Sequence, residues 1–249
     1  ERLAIDVLRD CLALGEHVRA INYLEVSGAD GTELIFRDTL TGDEYRHNAN
    51  IVINATGPWV DSTNELLGVK TEYMGGNKGS HIVVDHPELY AACKGREVFF
   101  ENNDGRIVLI LPILGRVLVR TTDIPVNHPD EARCTEEEID YFIDLAGHVF
   151  PDLPIDRSQI VYRYTGVRPL PAAGDLTPGV VSRDYRIVED SLGHSVPLLS
   201  LVGGKWTTFR ALGEHLAASA RAILGVPAGP SPESMPIGGG RDYPRNQDA

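Results

Sequence analysis

The sequence predicts a mixed α/β fold with α+β character, in which strand–helix units of the parallel type flank an antiparallel sheet. Three observations carry this. The apolar run Ile51–Ala55 stops at Ala-Thr-Gly and gives way to a helix after Pro58. A second short strand, Leu198–Val202, ends on Gly203-Gly204 and runs into an amphipathic helix. Between them, from about 79 to 122, β-leaning runs alternate with turn signals at Asp104-Gly105 and Leu114-Gly115. A buried strand that ends in Gly and restarts as a helix is a parallel unit, whereas runs joined by tight turns pair antiparallel.

Taken in order, Ala4, Val7, Leu8, Cys11 and Leu12 fall on one helical stripe, and Gly15 stops it. Runs at 18–27, 32–37 and 43–47, punctuated by Asp30-Gly31 and Thr41-Gly42, form a small antiparallel meander. Ile51–Ala55 is continuously apolar, the mark of a strand covered on both faces. Strands follow at 80–85, 97–102, 106–113 and 116–122. Thr135 with Glu138 makes a capping box that opens a helix with the stripe Ile139, Phe142, Ile143 and Ala146. A long β-leaning segment covers 158–170, and a Pro/Gly-rich bend covers 171–179. In the last helix Phe209, Leu212, Leu216, Ala220 and Ile223 share one face. Beyond Gly225, five prolines and Gly238–Gly240 read as a linker or frayed tail.

Composition narrows the function classes. Lys and Arg number 23 against 36 Asp and Glu, a net charge of −13 over 249 residues. That argues against nucleic acid as a partner, and an anionic small substrate would need its own local arginines and lysines. Cys11, Cys93 and Cys134 have neither metal spacing nor a disulfide pattern, which suits a reducing compartment. No run approaches membrane-spanning length, and the histidines show no metal spacing.

Four stretches carry candidate chemistry. At Ala55-Thr56-Gly57, followed by Pro58 at the first helical position, small residues let a bulky ligand approach the backbone at a sheet edge. An ordinary strand–helix turn would read the same. Gly203-Gly204-Lys205, with hydroxyls at Thr207 and Thr208, points backbone N–H groups and a positive charge at one spot, an anion-binding arrangement without phosphate-loop spacing. Arg168, flanked by Val167 and Pro169-Leu170, is placed to meet a planar anion or to pair with an acidic side chain. Arg183 precedes Asp184 and Tyr185. His81, in Lys78-Gly79-Ser80-His81, is either a titrating base or a satisfied core histidine.

Singly these are weak; their order is specific. "VINATGPWVDS", "KGSHIVV", "NDGRIVLILPILGRVLVRTTD", "YTGVRPL", "SRDY" and "LLSLVGGKWTTFR" together resemble the FAD-dependent glycerol-3-phosphate dehydrogenases over roughly residues 1–225. The resemblance implies a partial Rossmann-like FAD-binding domain plus an antiparallel-sheet substrate domain. It implies oxidation of sn-glycerol 3-phosphate to dihydroxyacetone phosphate, with hydride passing to FAD and electrons on to a quinone. Under it, His81, Arg168 and Lys205 are catalytic, and His81, Arg168 and Arg183 bind substrate. Ala55, Thr56, Gly57, Gly203, Gly204, Lys205, Thr207 and Thr208 line the cofactor. No metal is expected.

One departure stands out. The family opens with a strand, G-x-G-x-x-G and a helix for the FAD pyrophosphate, and this chain holds no such run. Gly238–Gly240 follows a Pro-rich tail and no strand. The chain therefore reads as the middle of the enzyme. Residues 1–70 are the later part of the FAD-binding domain, 71–172 a substrate domain with an antiparallel sheet and one helix, 173–225 the return to the FAD domain, and 226–249 a linker. Taken alone, such a piece is expected to hold FAD poorly or not at all. The resemblance further implies a cytoplasmic protein in peripheral contact with the inner membrane. Competing readings are a glycerol-3-phosphate oxidase that uses O₂, an amino-acid or amine oxidase of the same fold, and a non-catalytic piece that does not hold FAD.

Overall fold

A computed structural model describes residues 2–102, 105–172, 184–241 and 243–244. The described strands fall into three sheets. Strands β1 (Leu24–Asp30), β2 (Glu33–Asp38) and β3 (Glu44–Asn48) form the antiparallel meander the turn signals predict. Its first strand starts later than expected because Tyr23 sits at φ +57°, a left-handed conformation that cannot continue an extended chain.

The second sheet is the parallel unit. β4 (Val52–Asn54) pairs parallel with β12 (Val196–Val202), which in turn pairs antiparallel with β11 (Arg186–Leu192). β11 had no counterpart in the sequence reading, since its Glu and Asp interrupt any apolar run. After β4 a 3₁₀ turn, Gly57–Trp59, carries Pro58 at its start and leads into α2 (Val60–Leu66). One expectation fails here: Ile53 is 42% exposed, so β4 is not covered on both faces. Its only strand partner among the described residues is β12. Leu34, Leu67, Leu192 and Leu198 make a small core that joins the meander, the end of α2 and this sheet.

The third sheet is antiparallel and six-stranded. β10 (Ile160–Pro171), β5 (Met74–Val84), β8 (Arg116–Arg120), β7 (Ile107–Ile113) and β6 (Val98–Glu101) lie in that order, and the short β9 (Ile124–Pro125) pairs with β5. One face is dry. Ile82, Val84, Val108, Ile110, Val117 and Val119 pack there against Ile139, Phe142, Leu145 and Ala146 of α4 (Glu136–Val149). Burying each Val, Ile, Leu or Phe side chain there contributes about 1.5–3 kcal/mol. The capping box forms as its spacing predicts: Thr135 Oγ1 accepts from the Glu138 amide, and Glu138 Oε2 accepts from the Thr135 amide at 2.9 Å. A second helix, α3 (Pro87–Ala92), corrects the expectation of one. Its His86 cap accepts from the Leu89 amide, but six residues are too few to show a periodic stripe.

The ends of the chain differ from expectation as well. α1 (Arg2–Leu12) forms, yet none of its residues is buried, and Ile5, Leu8 and Leu12 stay exposed. α5 (Phe209–Leu224) keeps its predicted stripe half-buried and ends on Gly225 at φ +65°. The glycines after it are not frayed. Gly238–Gly240 form a 3₁₀ turn against α1, where Asp10 accepts from the Gly238 amide at 3.3 Å and pairs with Arg241. Arg210 ties Pro232 and Met235 back to α5 through their carbonyls. Among the described residues no helix is long and apolar enough to cross a membrane.

Candidate active site

Two groups of residues form the candidate site. The first is the sheet edge where β4 and β12 end. The pairs Val52 with Leu198, Ile53 with Leu199 and Asn54 with Ser200 are parallel, so both chains leave the sheet on the same side. Ala55–Gly57 issue from one strand and Gly203–Lys205 from the other. Buried Asn54 organises the first loop. Its Oδ1 accepts from the Thr56 amide (3.2 Å) and hydroxyl (2.7 Å), while its Nδ2 donates to the Val60 carbonyl (2.9 Å) and Asn64 Oδ1 (2.7 Å). Asn64 passes the link on, donating to Ser200 Oγ at 3.0 Å and Thr71 Oγ1 at 3.1 Å. These are buried polar groups satisfying one another, which fixes the corner more tightly than apolar packing would.

The glycines there are a backbone requirement. Gly57, Gly203 and Gly204 take φ of +64°, +81° and +100°, a region that L side chains rarely enter. A Cβ on Gly203 would meet the Asp184 carbonyl oxygen at 2.5 Å, while one on Gly57 would meet nothing within 4 Å. Space above Gly57 is therefore open. Lys205 and Thr207 are exposed, and the Thr208 hydroxyl accepts from the Lys205 amide at 3.3 Å.

The second group occupies the face of the six-stranded sheet opposite α4. Residues directly across an antiparallel pair share a face. His81 stands opposite Tyr164 on β10 and Arg120 on β8. Its ring lies 4.6 Å from that of Tyr164, centroid to centroid. Arg168 reaches over Gly79 on this same face, where a Cβ would strike its guanidinium. Its Nη1 donates to Asp123 Oδ1 at 2.7 Å, and its Nη2 to Thr121 Oγ1 and the Thr122 carbonyl, both at 3.0 Å. Burial first, then the charges of Arg120 and Arg168, pushes the His81 pKa down to about 4, so the ring is neutral at ordinary pH. His81 Nδ1 and Arg120 Nε are buried without a hydrogen-bond partner.

Alternation along β5 explains the Lys78-Gly79-Ser80-His81 run. Lys78 and Ser80 point to the α4 side: Lys78 Nζ lies 2.7 Å from Glu138 Oε2, and Ser80 Oγ 2.6 Å from Thr165 Oγ1. Gly79 and His81 face the other way. Burial works against ionisation of Glu138, but Lys78, the Thr122 hydroxyl and the Thr135 amide outweigh it and hold the carboxyl below its usual range.

Of the residues singled out in the sequence, Ala55, Thr56 and Gly57 come together with Gly203, Gly204, Lys205, Thr207 and Thr208 at one edge. His81 and Arg168 come together on one sheet face. The 3₁₀ turn Gly57–Trp59 packs against β5 and β10, which sets the two groups side by side. Arg183 lies outside the described residues. Sequence reasoning passed over Asn54, Asn64, Asp61, Arg120 and Tyr164. Asp61 accepts from the Thr71 hydroxyl (2.6 Å) and from the Tyr73 and Met74 amides (2.9 and 2.8 Å), tying α2 to the start of β5. A polar residue closing an apolar strand, as Asn54 does, was the available signal; Arg120 ends "GRVLVR" in the same way.

Comparison with known proteins shows the family. Residues 1–218 match the family model described as FAD dependent oxidoreductase. The chain belongs to the FAD dependent oxidoreductase family. Within that family, a glycerol-3-phosphate dehydrogenase of Synechocystis sp. is 34% identical over 98% of this chain and 47% of its own length. An aerobic glycerol-3-phosphate dehydrogenase of Bacillus subtilis is 32% identical over 96% of this chain and 44% of its own. The structure of the glycerol-3-phosphate dehydrogenase from Bacillus halodurans complexed with FAD superposes with a TM-score of 0.80 at 26% identity, covering 96% of this chain and 46% of that one. The chain thus spans about half the length of the relatives it matches. FAD is the cofactor that membership implies, and the residues fit it. Three positive-φ glycines come to one sheet edge with open space over Gly57, and the six-stranded sheet carries buried polar atoms without partners at His81 and Arg120.

Proposed function

We propose that the protein carrying this chain is an FAD-dependent dehydrogenase that oxidises sn-glycerol 3-phosphate to dihydroxyacetone phosphate. In this reading residues 1–70 and 173–225 belong to the FAD-binding domain and 71–172 to the substrate domain, with 226–249 leading away from them. The observation that carries the reading is neutral His81, flanked by Arg120 and Arg168 on a sheet face beside the glycine edge. The names of the relatives support the substrate.

Ala55, Thr56, Gly57, Gly203 and Gly204 would hold the cofactor through their backbone, with Lys205, Thr207 and Thr208 at the helix start placed to meet its negative end. When bound, FAD supplies the two-electron acceptor for hydride leaving C2 of the alcohol. His81 accepts the hydroxyl proton. Its Nδ1 is enclosed, which leaves Nε2 as the nitrogen that exchanges a proton with substrate. Low basicity keeps that nitrogen unprotonated and ready to accept. Arg168 and Arg183 bind the phosphate, and Asp123 fixes the direction of the Arg168 fork. Lys205 stabilises charge as it develops. Quinone is the proposed acceptor, and a peripheral contact with the cytoplasmic face of the membrane would bring the protein to that lipid-soluble partner; both rest on the family resemblance.

The test is anaerobic mixing of the full-length flavoprotein with glycerol 3-phosphate. The expected outcome is rapid bleaching of the flavin band, slowed at saturating substrate by His81→Ala and shifted to higher substrate concentration by Arg183→Ala. Failure of glycerol 3-phosphate to bleach the flavin, with amino acids doing so, would overturn the assignment. Turnover with a quinone analogue against O₂ alone separates the dehydrogenase from an oxidase.

A further inference from the structure

Arg120 differs from Arg168, the second arginine whose charge acts on His81. Arg168 is already neutralised by Asp123 at 2.7 Å and makes further hydrogen bonds to Thr121 and Thr122. Arg120 forms no ion pair among the described residues, and its Nε is buried without a partner. Its position is fixed from both sides of β8: it stands across from His81 on β5 and across from Leu109 on β7. The backbone pairing therefore holds an unneutralised guanidinium next to the proposed base. With only Nε enclosed, the terminal nitrogens remain available to a ligand.

From this geometry we infer that Arg120 is a further substrate-binding residue, one that takes the anionic group of the alcohol whose hydroxyl meets His81. The inference rests on the proposed function and deepens it. Side chains directly across an antiparallel pair start about 5 Å apart at Cβ. One small molecule can thus place a secondary hydroxyl at His81 and an anion two or three bonds away at Arg120. That is the span of a short polyol phosphate. A phosphate carries close to two negative charges, and the Arg168–Asp123 pair brings no net charge to meet them, whereas Arg120 brings one. A guanidinium presents two parallel N–H donors to such a group, a fit that a lysine ammonium does not reproduce.

The experiment uses the full-length flavoprotein with a dye acceptor and compares wild type, Arg120→Gln and Arg120→Lys. Arg120→Gln is expected to raise KM for glycerol 3-phosphate at least tenfold with a much smaller change in kcat. It should lower the preference for glycerol 3-phosphate over uncharged glycerol by a similar factor. Arg120→Lys should fall between the two, because it keeps the charge and loses the fork. Thermal melting shows which variants fold, and the Lys variant carries the comparison if the Gln variant does not. Titration of inorganic phosphate into each protein reads the anion site directly. Weaker phosphate binding in the variants supports the inference even if the wild type proves to oxidise a different alcohol, a result that would overturn only the proposed function. Phosphate affinity and KM both within twofold of wild type in the folded variants would overturn the role of Arg120.

Discussion

Lys78 and Glu138 form an ion pair of 2.7 Å between β5 and α4, with their side chains only 7% and 3% exposed. Glu138 is at once the capping-box residue of α4 and the acceptor for the Thr122 hydroxyl at 2.6 Å. One carboxylate thus joins the helix start to β5 and to the loop that follows β8 in the sheet that presents His81. Removing the lysine strands a buried charge. Lys78→Met is expected to destabilise the protein by about 3–5 kcal/mol in urea unfolding. The double variant Lys78→Met with Glu138→Gln should recover part of the loss, because no unpaired carboxylate remains. Strictly additive losses would show that the pair is not coupled.

Asn54 offers a second stability test. Its side chain carries four hydrogen bonds, to Thr56, Val60 and Asn64, inside the corner where β4 ends. Asn54→Ala takes a partner from the buried Val60 carbonyl and the buried Asn64 side chain, at a cost of about 1–3 kcal/mol. Thr56→Val removes only the edge of this network and should cost less. Equal midpoints for the two variants in chemical denaturation would contradict the network.

At the other strand end, Gly203 and Gly204 share left-handed backbone but not surroundings. A Cβ on Gly203 would meet the Asp184 carbonyl oxygen at 2.5 Å, whereas on Gly204 nothing comes nearer than Tyr185 Cβ at 3.6 Å. Both alanine variants carry backbone strain on the order of 1 kcal/mol. Gly203→Ala adds a displacement of the loop that the proposed cofactor rests on. Flavin content of the purified full-length protein should therefore fall more for Gly203→Ala than for Gly204→Ala, and the reverse order would argue against the corner as a cofactor seat.

The lowered His81 pKa has a definite sign in both activity and stability. The folded ring titrates at about 4, against an ordinary 6.5, because of burial first and the neighbouring Arg120 and Arg168 second. Between those two values the unfolded chain takes up a proton that the folded chain refuses, so this group's contribution to stability falls as pH drops through that window. Above 6.5 both states are neutral and it contributes nothing. In the reaction, the acceptor form persists down to about pH 5. The pH profile of kcat/KM should carry its acid limb near pH 4 to 5 and not near 6.5. Arg120→Gln removes one of the charges opposing protonation and should move that limb upward.

Much of the scaffold was legible because it rests on local chemistry. Turn dipeptides marked the meander and the hairpins, the Thr135–Glu138 spacing announced α4, and glycines after apolar runs placed both strand–helix corners. These signals lie within a few residues of the structure they specify. What the sequence by itself determined, with motif order added, was the family, the antiparallel sheet and the list of residues near the two corners. Tertiary pairing decided the rest. The parallel register of Asn54 beside Ser200 brought corners nearly 150 residues apart to one edge. The register of β5 against β8 and β10 set His81 between Arg120 and Tyr164, and the pleat sent Lys78 into the core and His81 out of it. Pairing in space also set Arg168 beside Asp123 and left Arg120, next to His81, without an ion pair among the described residues. Charge compensation is a property of neighbours in space, and no local pattern in the chain encodes it.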